Sequence, residues 1–454
     1  MTDWTPTLAP GGRARYQQIA DAIEADLRGG RLKPGDRLPP QRKLAERLGI
    51  DFTTVSRAYA EAYARELIES HVGRGTFIRA QTGAPQAVDR QRSPDLSMNM
   101  PPDVTDPELL ARMREGLAAV SSAMVPLLRY QATTGSDQDK AAAAHWLARR
   151  GIEVAAERLS ITPGAHAAMV AILSIIARPG DRLLCERVTY PGLRAIAAQL
   201  GLVLVGVDMD AAGLIPARLE AAIREHAPAA LYLNPTLHNP TTLTMPEARR
   251  REIAALVAAR NLPLIEDDAY GFVPKAPPPP LALLAPAQCW HIAGLSKSIG
   301  AGLRLAYVVA PDARAGVALA RALRTSVVMP SPICMALATA WIESGTADRI
   351  LDFVRRESAA RQRIAASVLG GAAFSSQPEA YNIWLNLPAG ASRAELMGRM
   401  AGRPIGLMPA DAFTVDGTPA ERIRICLGGA ISREDLQAGL MFLGNSLSGG
   451  GWMG

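Results

Sequence analysis

From residue 98 onward, short apolar runs alternate with longer stretches of helical periodicity: 181–186, 202–207, 230–234 and 262–267 against 164–177, 191–200 and 246–260. Few folds accept that alternation. Strands that are apolar along their whole length are buried on both faces, and a helix between them returns the chain to the same edge of the sheet. The pattern predicts an α/β fold, a mainly parallel sheet sheathed by helices, with ligands gathering at the carboxyl ends of the strands. The residues able to do chemistry stand at those ends.

Foremost is Lys297, in WHIAGLSKSIGAGLRLAYVVAP (residues 290–311). Five lysines stand against forty-four arginines in this chain, so a lysine here marks a position that arginine cannot fill. Arginine forms no Schiff base. An amine on a turn between two buried strands is desolvated, its pKa falls, and its lone pair is freed for attack on an aldehyde. Five further segments carry chemistry. In SITPGAHAAM a Pro-Gly turn and a helix start at Ala165 and His166 offer N–H groups to an anion. RVTYPG places Tyr190 after a strand, and YLNPTLHNPTT holds the Asn239-Pro240 turn. LPLIEDDAYG puts carboxylates at a buried strand end, which is costly unless they are paired; Asp267 is the first choice and Asp268 the competitor, with Tyr270 close behind. Last comes ERIRICLGG, with Arg424 in a strand-like run and Arg422 as its alternative.

The first 79 residues are of another kind. Tyr16, Ile19, Ala20, Ile23 and Leu27 follow helical spacing, ended by Gly29 and Gly30. A second helix from about 41 to 48 and a third opened by Thr53, Thr54 and Ser56 are joined at 49–51, which makes a helix-turn-helix. A hairpin wing follows around Gly73, Arg74, Gly75, Thr76 and Phe77. This stretch carries thirteen Lys/Arg against ten Asp/Glu, net +3, while the other 375 residues share the remaining +3. The denser positive charge favours a polyanionic partner. Residues 80–97, without apolar periodicity, predict a flexible connection, and the proline run 277–280 predicts a stiff surface loop.

No stretch of eighteen apolar residues lacks charge or proline, and the first residues carry no signal pattern, which predicts a cytoplasmic protein with no membrane partner. Four scattered cysteines without paired spacing predict reduced core residues and no metal.

Two resemblances sharpen these readings. YQQIADAI, GRLKPGDRLPPQRKLAERLGI, TTVSRAY and GRGTF resemble the GntR winged helix-turn-helix. That resemblance implies a mainly α DNA-binding domain over 1–79, with Arg42, Thr53, Thr54 and Arg57 facing the major groove or its phosphates and Arg74 reaching from the wing. Helix capping is the alternative role for the two threonines, and it is compatible with DNA contact. Asp51 and Phe52 depart from the family's small polar or basic residues. SKSIGAGLRLAYVVAP resembles the lysine segment of pyridoxal-phosphate enzymes of the aspartate aminotransferase fold (fold type I), covering 98–454. It implies that Lys297 holds the cofactor as an internal aldimine, and that Arg304, Ser296 and the amides of Ala165 and His166 bind its phosphate. Tyr190 would stack on the ring, Asn239 and Tyr270 bond the phenolic oxygen, and Asp267 keep the ring nitrogen charged. Arg424 would grip a substrate carboxylate, and Tyr130 reach the phosphate of the neighbouring subunit. The usual glycine after Thr241 is Thr242 here, which puts the turn geometry in question. Together the two blocks resemble the MocR subfamily of bacterial regulators. That implies a head-to-tail homodimer on an operator, sensing an amino compound by aldimine exchange at Lys297; an active aminotransferase is the alternative.

Overall fold

The computed structural model describes residues 4–8, 14–33, 35–65, 67–71, 75–79, 98–403 and 405–448. The chain divides into two compact units, Met1–Arg92 and Ser93–Gly454. The expected connection over 80–97 and the wing residue Arg74 lie outside the described residues.

In the N-terminal unit the helix Arg15–Arg28 buries Ile19, Ala20 and Ile23, the spacing read from the sequence. The helix Gln41–Leu48 stops at Gly49, which takes a left-handed φ of 63°. The next helix, Phe52–Ala64, is capped by Asp51 rather than by a threonine: the Asp51 carboxylate accepts from the Thr53 amide at 2.7 Å. An N-cap aspartate satisfies one of the four amides that a helix start leaves open. Asp51, the residue that departed from the family pattern, thus has a structural task, and the Thr53 hydroxyl also donates to it. Two strands, Ile68–His71 and Gly75–Ile78, pair antiparallel behind the helices. Leu44, Val55 and Ala58 are fully buried between these elements, and burial of the larger two is worth about 1.5–3 kcal/mol each.

The large unit is built on a seven-stranded sheet in the order Leu159–Thr162, Ala306–Val309, Cys289–Gly294, Leu264–Asp267, Ala230–Leu233, Arg182–Glu186, Val203–Val207. Only Ala306–Val309 runs against its neighbours. The others are parallel, so Thr162, Glu186, Leu233, Asp267 and Gly294 end at one edge. The reversed strand begins at that edge, which brings Arg304 there too. A second, antiparallel sheet joins Phe374–Ser375, Asn382–Asn386, Arg422–Cys426 and Leu407–Pro409.

The expected proline loop is only partly at the surface: residues 277–279 are half-buried, the carbonyls of Pro278 and Pro279 accept from the guanidinium groups of Arg150 and Arg250, and Pro280 is buried at the start of the helix Leu281–Leu284. A proline carbonyl is a free acceptor, and two buried arginines use two of them.

Candidate functional site

The strand ends of the large sheet surround a cavity of about 500 Å³. Ala165, His166, Tyr190, Asn239, Asp267, Tyr270, Ser296, Lys297 and Arg304 all line it, brought together from segments spread over 140 residues of chain. Arg424 is not in the wall; it stands behind Asn239, donating from Nη1 to Oδ1 at 3.0 Å, and is itself buried. Arg422 is exposed at the strand's start. Tyr130 is 84% exposed and lies away from this cavity.

Lys297 ends a short 3-10 turn, Leu295–Lys297, that follows directly on the strand Cys289–Gly294. Burial, and then the charge of Arg424, lower its amine to about 8. The amine donates to the backbone carbonyl of Asn99. Asp267 is buried at the end of its strand, where Tyr232 donates to Oδ2 at 2.7 Å. Its other oxygen, Oδ1, is buried with no hydrogen-bond partner among the described residues. Burial pushes this carboxyl up to about 6 despite the Tyr232 bond.

Its neighbour Asp268 is differently placed. Arg150 holds it at 3.2 Å, both side chains being buried. Burial works against the charge of Asp268, and Arg150, His291 and Arg250 outweigh it, holding the carboxyl below its ordinary range. Of the two candidate carboxylates, Asp267 is the one that faces the cavity.

At the opposite wall, the helix Ala165–Ile176 starts at Gly164, which brings no side-chain cap. Gly164 has φ +87°, and a Cβ there would stand 3.0 Å from the Arg304 guanidinium. The glycine therefore lets a fixed cation approach a helix N-terminus, an arrangement suited to an anion with several oxygens. Tyr190 and His166 meet edge to face, centroids 5.6 Å apart. Burial, then Arg304, hold His166 below the ordinary histidine range, which keeps another charge out of this wall.

The turn carrying Asn239 has Thr242 at the position of the usual glycine. Thr242 takes φ 62°, the left-handed conformation a glycine would adopt, and its amide donates to the His238 carbonyl at 2.7 Å. Such a φ is a genuine outlier for a β-branched residue.

Three asparagines escaped the sequence reading. Asn234 donates to the Asp267 carbonyl at 2.6 Å and accepts from the Asn239 amide at 2.9 Å, tying the carboxylate wall to the turn. Asn99 bonds the Tyr270 hydroxyl at 3.0 Å, and Asn382 bonds the Pro240 carbonyl at 2.9 Å. Each acts through contacts distant in sequence, which no local motif announces. Only Asn234, inside LNPTLHNPTT, lay in a segment already singled out.

In the N-terminal unit Arg42 and Arg57 are exposed. The Arg57 guanidinium lies over the Tyr16 ring at 4.5 Å, and that of Arg42 over Phe52 at 5.9 Å. Thr53 is exposed and Thr54 half-buried at the start of the same helix as Arg57.

Comparison with known proteins places both units. Residues 94–443 match the family model for aminotransferase class I and II, and residues 15–78 that for bacterial regulatory proteins of the gntR family. The uncharacterized HTH-type transcriptional regulator YdeF of Bacillus subtilis (strain 168) is 31% identical over 97% of this chain and 96% of its own. The HTH-type transcriptional regulator TauR of Rhodobacter capsulatus is 30% identical over 72% of this chain and 73% of its own. Among solved structures, the crystal structure of LysN, the alpha-aminoadipate aminotransferase of Thermus thermophilus, superimposes with a TM-score of 0.71 at 24% identity. The match covers 78% of this chain and 92% of that one. No helix among the described residues is long and apolar enough to cross a membrane.

Proposed function

Because this chain belongs to the MocR subfamily, an aminotransferase class I and II domain behind a gntR-family DNA-binding head, we propose that it regulates transcription by sensing a small amino compound in its pyridoxal-phosphate cavity. One observation carries the reading: a half-buried lysine and a buried carboxylate oxygen without a hydrogen-bond partner among the described residues share one cavity in a chain that also bears a helix-turn-helix.

The donor set fits the cofactor that the family implies. The Oδ1 of Asp267 is an acceptor awaiting an N–H, and Arg304 on Gly164 with the Ala165 and His166 amides forms a seat for phosphate, Ser296 beside it. Bound there, pyridoxal phosphate supplies an aldehyde carbon that condenses reversibly with primary amines and a ring that draws electrons through its protonated nitrogen. The remaining work falls to the chain. Lys297 provides the resident amine; with a pKa near 8, roughly a tenth of it is free base at pH 7. It is the group an amino effector must displace, and Nζ is then free to move a proton. Asp267 holds positive charge on the ring nitrogen. Burial pushes the Tyr270 hydroxyl well above the ordinary tyrosine range, so it stays protonated and donates to the phenolic oxygen beside Asn239. Tyr190 covers the ring, and Arg424 receives the effector's carboxylate.

The head reads an operator through Arg42, Thr53, Thr54, Arg57 and Arg74. Effector binding shifts operator affinity only as far as it favours one arrangement of the protein over another. A homodimer, head to tail, is part of this reading. Leu117, Val125, Leu128 and Tyr130 are 51–84% exposed along one segment, an apolar surface that a second copy would cover while bringing Tyr130 towards the partner's phosphate seat. The setting is the bacterial cytoplasm.

A second reading, amino transfer with turnover, is favoured by one feature: Tyr190, Asn239, Asp267, Tyr270, Lys297 and Arg304 together line the cavity, which is the complement such catalysis needs. Purified full-length protein, loaded with pyridoxal phosphate and mixed with its own upstream DNA and a panel of amino acids, separates the readings. An effector that changes DNA retardation with at most one turnover supports the sensor. Repeated turnover when a keto acid is added supports the enzyme. A wild type that stays colourless with the cofactor overturns both.

A further inference from the structure

The described part of the large unit begins at Met98, immediately after the segment that joins it covalently to the head. Those first residues lead into the cavity. Met98 and Met100 line it, and between them Asn99 is buried, its carbonyl accepting from the Lys297 amine. The Asn99 amide nitrogen donates twice, to the Tyr270 hydroxyl and to Asn382 Oδ1, both at 3.0 Å.

These bonds have a direction. Asn382 Nδ2 donates to the Pro240 carbonyl, so Asn382 must present its oxygen to Asn99, and Asn99 must answer with its nitrogen. The Tyr270 oxygen is thereby an acceptor from Asn99, and its own proton is left to point elsewhere. The cavity is where Tyr270 has a use for it. Asn99 Oδ1, meanwhile, is buried without a hydrogen-bond partner among the described residues, although Asn99 lies beside the reactive amine.

The segment is held from its other side as well. The Gly429 amide donates to the Pro101 carbonyl at 3.1 Å, and Pro102 bridges to Gly429. A Cβ on Gly428 would stand 1.8 Å from the Met100 carbonyl, so only glycine lets the strap lie there. The Gly-Gly that closes ERIRICLGG, which no site role had absorbed, is the clamp.

We propose that Asn99 is a positioning residue for Lys297 and Tyr270, and that the strap of residues 98–102, gripped between those two side chains and Gly428-Gly429, carries the state of the Lys297 amine to the chain leading to the DNA-binding head. The first half concerns the cavity alone; the second rests on the sensor reading above. Release of the Lys297 amine lets it donate to the Asn99 carbonyl, and recapture takes that donor away. The strap is the one stretch of described backbone that both touches that amine and continues towards the head.

Two measurements on full-length protein loaded with pyridoxal phosphate test this. The first is the pH midpoint of its visible absorption. With the Tyr270 proton no longer directed, Asn99→Ala raises the midpoint by roughly half to one unit. Asn99→Asp, nearly isosteric but able only to accept when ionised, draws the proton away and raises it further. If packing were the whole role, Asp would disturb the midpoint less than Ala, and that order overturns the positioning claim. The second is the affinity for the chain's own upstream DNA with and without hydroxylamine, a small amine that takes the cofactor carbon from Lys297. Wild type shifts by roughly fivefold or more. In Asn99→Ala, and in Gly428→Ala, which moves the strap without touching Lys297 or Tyr270, the shift falls below about twofold. Circular dichroism of each variant establishes that it is folded, and Asn99→Asp stands in for an Ala variant that is not. An unshifted wild type defeats the sensor reading; a wild type that shifts and variants that shift equally defeat the strap alone.

Discussion

The two units put similar residue types to opposite uses. In the head the side chains proposed to act, Arg42, Thr53 and Arg57, are exposed, and the buried residues around them only hold the helices in place. In the large unit Lys297 lines an internal cavity, Asp267 and Tyr270 are buried, and each has a pKa moved by that burial. The difference teaches where an electrostatic argument has force. A charge in water is screened and works by addition with its neighbours; a charge in a cavity is singular, and its partner or the lack of one decides its chemistry.

The sharpest way to break this contrast is to remove one residue from each side. Lys297→Ala, and equally Lys297→Arg, should abolish the visible absorption of the cofactor-loaded protein outright, because no other lysine among the described residues lines the cavity. No single substitution in the head should abolish DNA binding so completely. Residual colour in both Lys297 variants, read by absorption after desalting, would remove Lys297 from the centre of the site.

Next in size is the pair Asp267 and Asp268. Asp268→Asn leaves Arg150 charged and buried without its partner, a loss of about 3–5 kcal/mol measurable by denaturant unfolding. Asp267→Asn should leave the fold intact and raise the cofactor Kd by roughly 10- to 100-fold, the worth of one hydrogen bond to a charged group. Were the two variants to exchange phenotypes, the assignment of the cavity carboxylate would be reversed.

That pair also marks how far the sequence could be read. Adjacent aspartates in LIEDDAYG look alike in one dimension, and what separates them is Arg150, which lies 118 residues away. The Lys297 segment, the Asn239-Pro240 turn and the three helices of the head were legible because each is a local pattern of spacing and turn chemistry. Alternation implied a mainly parallel sheet; the order of its strands and the one reversed strand, Ala306–Val309, were not legible. Asn99, Asn234 and Asn382 were not legible: the first two lie in loops that carry no period, the third opens the strand Asn382–Asn386, and Tyr270, Asp267 and Pro240, which they bond, come from remote chain. Thr242 could be doubted from sequence but not resolved: whether a β-branched residue accepts a left-handed φ depends on the turn around it.

A subtler effect is expected from pH in the cofactor-free protein. Burial lowers Lys297 from 10.5 to about 8, so its stabilising contribution is present above the unfolded value and is lost as pH falls through 8. Asp267 is raised from 3.8 to about 6, so its contribution is present below 3.8 and is lost as pH rises through 6. Both buried groups are charged between about 6 and 8, where their joint contribution is least. Melting temperature against pH should show that trough, Lys297→Met should remove its alkaline side and Asp267→Asn its acid side. Cofactor, which offers both groups a partner, should stabilise most within it. Identical profiles for wild type and both variants would mean the cavity charges are hydrated as freely as those of the head.

The smallest effect belongs to the head. Arg57 is exposed and rests on the Tyr16 ring, so Arg57→Ala removes one cation that DNA must first draw from an aromatic face. Affinity for the upstream DNA should fall at low salt, and the slope of log affinity against log salt should become shallower by about one, as expected when a single phosphate is no longer neutralised. Arg42→Ala should behave alike, and the double variant should sum the two slopes, because screened charges in water act independently. A slope change well beyond the sum would show the two arginines to be coupled, and the head would then follow the logic of the cavity instead of its own.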